Sequence, residues 1–401
     1  MSLPLENVRV IDLTNVVAGP LASYQLVMLG ADVIKVEVPR TGDLARKMGA
    51  DPKLAKEQMG ASFLSLNAGK KSLTLNLKDE RGKEILKQLV READVVIENF
   101  RPGTMDKLGL GYDTLKSVNP SIIYCAISGF GQEGPLAQRP AYDQIIQGFC
   151  GLMSLTGNEQ TAPTRAGYIV CDTMAAMTAA FAICAALYCR AKTGKGDMID
   201  VSMLDASLVT MAAWPISNYL NAGKIPVPMG NENFTASPSG TFHAADRAIN
   251  IVVNEQRQWE SLCDALEAPD LKVDPRFADR FDRIAHRVEL NGVLNKLLKA
   301  RVADEWLDRF LKAGVPAGPI LEVPDVMQHP HIEARQVLKH FEDVPGVGRD
   351  VAVPRLGFRL SGDQPNVDLP PPRLGEHTAE VLAALGWERA GIDALRDAKV
   401  V

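Results

Sequence analysis

Residues 8–37 read VRVIDLTNVVAGPLASYQLVMLGADVIKVE, two β-branched runs separated by a helical one. Val8 to Leu13 has the composition of a short buried strand, Leu21 to Leu29 carries the apolar spacing of a helix, and Asp32 to Val36 is a second strand. The three together predict a βαβ unit. Between the first strand and the helix, Val16-Val17-Ala18-Gly19-Pro20 puts small residues where backbone N–H groups can approach a phosphate or a carbonyl. The loop lacks a full GxGxxG, and by pattern alone an ordinary tight turn is the favoured reading over a ligand loop.

Moving outward, the same alternation recurs. A strand at Ser72 to Leu77, a helix from Asp79 to Glu92, a strand at Asp94 to Glu98 and another at Ile122 to Ala126 predict an α/β, Rossmann-like parallel sheet flanked by helices. Asp172 to Lys192 is a strong helix, small and apolar throughout and expected to be buried on most sides, ending at Thr193-Gly194-Lys195-Gly196. A strand at Met198 to Ser202 and an apolar helix from Leu204 to Leu220 close a large domain over 1–220. Residues 221–240, rich in Gly, Pro, Asn and Ser, read as a linker, and 241–329, with a strand at Ala248 to Val253 and amphipathic helices, as a smaller α+β domain. From Val315-Pro316 the chain is Pro-rich and poor in strands until a helix at His377 to Leu385, and residues 330–401 are expected to pack back on the large domain.

The 401 residues carry a formal net charge of −5 with no Lys/Arg run, so the electrostatic footprint of a nucleic-acid binder is missing. Met1 opens directly into Leu5 to Leu13 without a basic leader region, and the apolar stretch Met174 to Tyr188 is short and Ala-rich, which predicts a cytoplasmic protein that does not enter a membrane. Six cysteines form no CxxC pair and sit mostly in apolar segments, as reduced core thiols do. No GxSxG is present, and the six histidines all lie beyond residue 240 without metal-ligand spacing, so no metal site is expected.

The chemistry-bearing residues cluster after strand ends. Arg40, Gly42, Asp43 and Arg46 follow the second strand, where cations beside a Gly loop can pair with phosphates. Asn99-Phe100-Arg101-Pro102-Gly103 follows the strand at Glu98, and Ser128-Gly129-Phe130-Gly131-Gln132-Glu133-Gly134-Pro135 follows the one at Ala126. Open α/β sheets bind ligands at such positions, so both loops point at one crevice. Asp172 stands immediately before the Ala-rich helix. By position it is an N-cap, and helix amides would hold its carboxylate ionised at neutral pH, as a carboxylate nucleophile requires.

The combination resembles the family III CoA-transferases, the CaiB/BaiF group that includes formyl-CoA transferase and the carnitine CoA-transferase. The matching elements, in family order, are Val10-Ile11-Asp12-Leu13 with Ala18-Gly19-Pro20, Leu29 to Glu37 with Gly42-Asp43, Glu98 to Gly103, Ser128-Gly129-Phe130-Gly131, and Asp172 followed by Thr193-Gly194-Lys195-Gly196. The resemblance implies a ring-shaped subunit in an interlocked homodimer. It implies that Asp172 attacks an acyl-CoA to form a mixed anhydride and then an aspartyl-CoA thioester, which an acceptor acid reverses, with no cofactor beyond the CoA thioester substrate. It also implies that Val17 and Ala18 line the CoA site, that Arg40, Leu75 and Lys78 surround the nucleotide end, that Asn99, Phe100 and Arg101 meet pantetheine and phosphate, that Lys107 is a phosphate contact, and that Arg139 to Tyr142 run into the site. Val17 stands where the oxalate enzymes have glutamine, Arg139-Pro140-Ala141-Tyr142 lacks their lysine, and Ser237 to Thr241 lacks their glycine loop. Succinyl-CoA as donor and a small carboxylic or dicarboxylic acid as acceptor are therefore expected.

Two other readings compete. An α-methylacyl-CoA racemase shares this pattern but has Gly-His-Asp where this chain has Ala141-Tyr142-Asp143, and a tyrosine, with an ordinary pKa of about 10, is a poor second base. A non-catalytic CoA-binding protein would have little use for Asp172 beside both glycine loops.

Overall fold

The structure is a computed structural model describing residues 3–361 and 365–401. It divides into two units, one of Met1–Gly151, Ala166–Ile225 and His331–Val401, the other of Leu152–Arg165 and Pro226–Pro330.

The first unit is built on six parallel strands: β1 (Arg9–Asp12), β2 (Asp32–Glu37), β3 (Lys71–Thr74), β4 (Val95–Glu98), β5 (Ile123–Ser128) and β6 (Met198–Ser202). Their order is β3-β2-β1-β4-β5-β6. Strand β1 is flanked on one side by β2, with Ile11 beside Ile34, and on the other by β4, with Ile11 beside Val96. The chain winds outward from β1 in one direction and from β4 in the other, so a crevice opens at the carboxyl ends of these two strands. Strands β4 and β5 are buried along their whole length because helices cover both faces. One cover, the helix Glu80–Arg91, starts at Asp79, whose side chain accepts the Arg81 N–H at 2.9 Å, and buries Ile85, Leu86, Leu89 and Val90.

The carboxyl-terminal segment finishes this unit. β10 (Leu338–Phe341) and β11 (Val351–Pro354) form a hairpin-like pair, and the helices Thr378–Ala384 and Arg389–Asp397 place Val381, Leu382, Ile392, Leu395 and Val400 in the same core as Leu73 and Leu75. Thr378 Oγ1 accepts the Thr74 N–H at 3.1 Å and His377 Nδ1 the Ser72 N–H at 3.2 Å, so the outer edge of β3 is occupied.

Two expectations need correction. The apolar run after β6 is not one helix: it breaks into Met203–Thr210, a π-helical turn Ala212–Ile216 and Ser217–Ala222, because Pro215 lacks the N–H that a continuous helix needs. The long helix Val170–Thr193 is not buried on most sides. Ala175, Ala176, Ala179, Ala180 and Ile183 form a small-residue seam against the helices Ala18–Met28 and Met203–Thr210, while Met177, Phe181 and Tyr188 are exposed, Phe181 at 76%. By length and composition this helix could also cross a membrane, a test that soluble core helices pass.

The second unit holds the antiparallel sheet β7 (Ser239–His243), β8 (Ala248–Val252), β9 (Ala317–Pro319) and a core around Phe242, Trp259, Phe277, Trp306 and Phe310. It begins at Pro226, inside the stretch read from sequence as a linker, and also includes Leu152–Arg165, where Gly157 O accepts the Gly230 N–H at 2.6 Å. A contact between segments so far apart in the chain leaves no periodic trace in either.

Candidate active site

The loop after β1 is gripped residue by residue. Lys35 Nζ donates to Thr14 O at 2.8 Å, and the Asn99 side chain, arriving from the end of β4, accepts the Asn15 N–H and donates to Asn15 O, both at 2.8 Å. Asp43 Oδ1 accepts the Val16 N–H at 2.9 Å. Val16 is thereby held at φ 67°, a left-handed conformation that a β-branched residue adopts only under constraint. The next residues, Val17 and Ala18, turn into a helix, and Gly19 must be glycine because a Cβ there would lie 2.2 Å from the Thr14 side chain. Beneath the loop lies a buried ionic lattice. Lys35 pairs with Asp43 at 2.9 Å, Lys70 with Asp12 at 3.0 Å, and Arg46 with Glu37 at 2.7 Å. Burial alone would raise the Asp12 carboxyl, but Lys35 and Lys70 hold it well below the usual range.

Above the loop is a cavity of about 190 Å³ lined by Val17, Ala18, Asn99, Phe100, Arg101, Ser128, Gly129, Arg139, Tyr142 and Asp172. Asp172 is not the cap of its helix. The helix starts at Val170 after Ile169, and the free Cys171 N–H is taken by Asp143 Oδ1 at 2.8 Å. Asp172 instead lies in the cavity with Ala18 of the gripped loop, whose backbone N–H favours its ionised form. Its carboxyl is not held fully ionised as the cap reading implied: burial, and then the charge of Asp143, push its pKa up to about 7 against that single N–H. Gly129 is required here too, since a Cβ would approach Ala141 Cβ to 2.6 Å, so the Arg139–Tyr142 segment lies directly on the loop after β5.

A larger cavity of about 520 Å³ shares Asn15 and Phe100 with the first and is lined by Arg40, Leu75, Asn76, Lys78 and Lys399, with Leu13, Val36 and Leu108 supplying apolar walls. A long ligand can therefore pass from Asp172, alongside Phe100, into an apolar chamber rimmed by cations. A family model described as CoA-transferase family III matches residues 5–378.

The chain belongs to CoA-transferase family III.

An acetyl-CoA:oxalate CoA-transferase from Acetobacter aceti is 40% identical over 382 residues, covering 94% of both chains. A succinyl-CoA:glutarate CoA-transferase from Homo sapiens is 36% identical over 399 residues, covering 99% of this chain and 90% of that one. Among solved structures, a CaiB/BaiF family protein from Brucella suis superposes with a TM-score of 0.83 at 38% identity, covering 96% of this chain and 100% of its own. This chain is thus an enzyme of the CoA-transferase class.

Within this family III transferase the residues expected at the site divide into three groups. Val17, Ala18, Phe100, Arg101, Arg139 and Tyr142 meet around Asp172, and Arg40, Leu75 and Lys78 meet in the larger cavity. Asn99 lines the smaller cavity, but its amide is spent on Asn15, so its first task is to hold the loop. Lys107, at the end of the helix Thr104–Lys107, lines neither cavity. Arg46 is also removed from the phosphate candidates: it is fully buried, bidentate on Glu37 and stacked 3.7 Å over Phe63. Cys171, next to the carboxylate, is buried, and a hydrogen bond with Cys150, together with burial, pushes its thiol far up, so it is no nucleophile.

Sequence reasoning missed four participants. Asp143 caps the helix and loads Asp172; Glu98, buried, receives the Phe100 N–H at 2.7 Å and is pushed by burial to about 7. Ser128 lines the Asp172 cavity with a buried hydroxyl that has no partner among the described residues. Lys399 had no signal at all, lying far from every family motif.

Proposed function

We propose that this transferase moves CoA from succinyl-CoA to a second small dicarboxylic acid through covalent adducts on Asp172. The observation that carries this reading is a carboxyl with no cationic partner among the described residues, half buried in a cavity, favoured in its ionised form by one loop amide and poised near pH 7. A carboxylate that lacks strong partners keeps its nucleophilicity, and one titrating near neutrality is both available and reactive.

Asp172 Oδ attacks the thioester carbonyl, the C–S bond breaks, and CoA departs as thiolate from a mixed anhydride. The thiolate then attacks the Asp172 carbonyl, releasing the donor acid and leaving an aspartyl-CoA thioester. The acceptor carboxylate attacks that thioester, the thiolate leaves again, and its attack on the acceptor's carbonyl frees Asp172 and the new CoA ester. Every bond broken is replaced, so neither metal nor redox cofactor enters. Backbone N–H groups of the loops lining the cavity, that of Val17 on the strained turn among them, would stabilise the oxyanion of each tetrahedral intermediate, while the Ala18 amide attends Asp172.

Arg101 and Arg139 in the same cavity support an acid with a second carboxylate, and the acceptor acids in the names of the two relatives, oxalate and glutarate, are of that kind. The exposed face of Met177, Phe181 and Tyr188 supports burial against a second copy of the chain, the homodimer the family resemblance implied, rather than against lipid or nucleic acid. The free thiols of Cys125, Cys184, Cys189 and Cys263 support a cytoplasmic setting.

CoA-ester mass spectrometry after incubating the wild type and Asp172→Ala with succinyl-CoA and a panel of dicarboxylic acids tests the reading. New CoA esters with the wild type alone support it; equal turnover by Asp172→Ala overturns the nucleophile. Exchange of an α-proton of a 2-methylacyl-CoA without CoA transfer would turn the reading to a racemase and make Tyr142, 71% exposed beside Asp172, the residue to re-examine.

A further inference from the structure

The last helix, Arg389–Asp397, ends in a left-handed residue at Lys399, φ 61°. The Lys399 N–H donates to Arg396 O and the Val400 N–H to Leu395 O, both at 2.9 Å, which is the paired bonding of a Schellman ending. Glycine is the usual occupant of that position, because any Cβ is strained there. Val400 is fully buried and its carbonyl accepts the Asn76 N–H at 2.8 Å, so the ending is pinned to the segment after β3 that supplies Leu75 and Lys78. A long cationic side chain thus stands at a backbone position that favours none, fixed on the wall of the larger cavity.

The cavities give that position an address. Asn15 and Phe100 mark the side on which the large cavity meets the Asp172 cavity. Arg40 and Lys399 mark another side, where it meets a third recess lined also by Arg396. Among the described residues the one carboxylate on the large cavity's wall, Glu37, is already held by Arg46, and Lys399 has no carboxylate partner. An acyl-CoA lying with its thioester at Asp172 and its pantetheine past Phe100 brings its nucleotide end to Arg40 and Lys399.

We propose that Lys399 binds the 3′-phosphate on the ribose of CoA, with Arg40 as its neighbour. The assignment rests on acyl-CoA occupying these two cavities as described above, and it adds the carboxyl-terminal helix to the elements that recognise the substrate.

The test is calorimetric titration of the full-length enzyme with CoA and with 3′-dephospho-CoA, which needs no turnover. The wild type should bind CoA about tenfold more tightly than the dephospho form, as expected for one charged contact. Lys399→Gly and Lys399→Gln should bind both forms equally, at the wild-type affinity for dephospho-CoA. Lys399→Gly should also melt at or above the wild-type temperature, since glycine relieves the left-handed strain, and this separates lost charge from lost fold. An equal weakening of both ligands would overturn the proposal by making Lys399 a diphosphate contact or a structural residue, and unchanged discrimination would overturn it outright. Phe100→Ala should weaken both ligands together; if it weakens neither, acyl-CoA does not occupy these cavities and the placement of Lys399 falls with that reading.

Discussion

The buried carboxylates of this molecule fall into two regions that treat charge in opposite ways. Under the loop after β1, Asp12, Glu37 and Asp43 each have a fully buried cation within 3.0 Å. Around the end of β4 and the start of the long helix, Glu98 and Asp172 have none among the described residues, and burial lifts both to about 7. The paired region is a foundation whose charges are locked, while the unpaired one keeps a carboxyl whose proton can come and go. The difference lies in the partners supplied and not in depth alone, because Asp12 is buried more completely than Asp172.

Removing the unpaired carboxylate should have the largest effect. Asp172→Asn is expected to lower the rate of CoA transfer on the order of 10⁴-fold or more, as loss of a covalent nucleophile does. The fold should not suffer. A carboxyl whose folded pKa lies above its unfolded value favours the folded state at low pH and progressively loses that contribution as pH rises from about 4 through 7. The asparagine variant should therefore gain stability over the wild type at pH 8, by about 2–3 kcal/mol, and nothing at pH 4. Thermal melts at the two pH values check this, and a loss of stability at pH 8 would contradict the unpaired assignment. In the wild type, kcat/KM should rise with pH through an apparent pKa near 7.

Breaking the paired region should do the reverse. Lys70→Met leaves Asp12 buried without its ammonium, which costs about 3–5 kcal/mol and should lower the melting temperature by roughly 10 °C. Activity per folded molecule should fall far less than in Asp172→Asn. Asn99→Ala sits between the regions: it frees Asn15 and should reduce kcat about 10- to 100-fold with little change in KM for either substrate, because the loop amides lose their aim and not the ligand its contacts. Glu98→Gln should matter least. Glutamine keeps an acceptor for the Phe100 N–H, so steady-state rates at pH 7 should stay within about threefold.

What could be read in advance follows the same division. The βαβ alternation, the parallel sheet and the order of the family motifs were legible because buried strands and amphipathic helices leave periodic patterns in residues such as Val8 to Glu37 and Asp79 to Glu92. Asp172 was legible as a position and misread as a cap, since the side chain that takes the helix amide, Asp143, arrives from another helix. Arg46 looked like a phosphate ligand because a sequence does not show that Glu37 lies opposite it. Lys399 and the Leu152–Arg165 excursion were illegible for the same reason, as both depend on which distant segments meet.

The clasp between Asn99 and Asn15 has a consequence for timing. The two residues stand next to each other only when β1 and β4 are neighbours in the sheet, so neither half of the sheet can assemble the reactive loop alone. During synthesis the first βαβ unit can form as soon as β2 has emerged, whereas the loop must wait for β4 and the amide that locks it. Competence for chemistry is thus an event of late folding, and a nascent chain that has built half of the sheet is still inert.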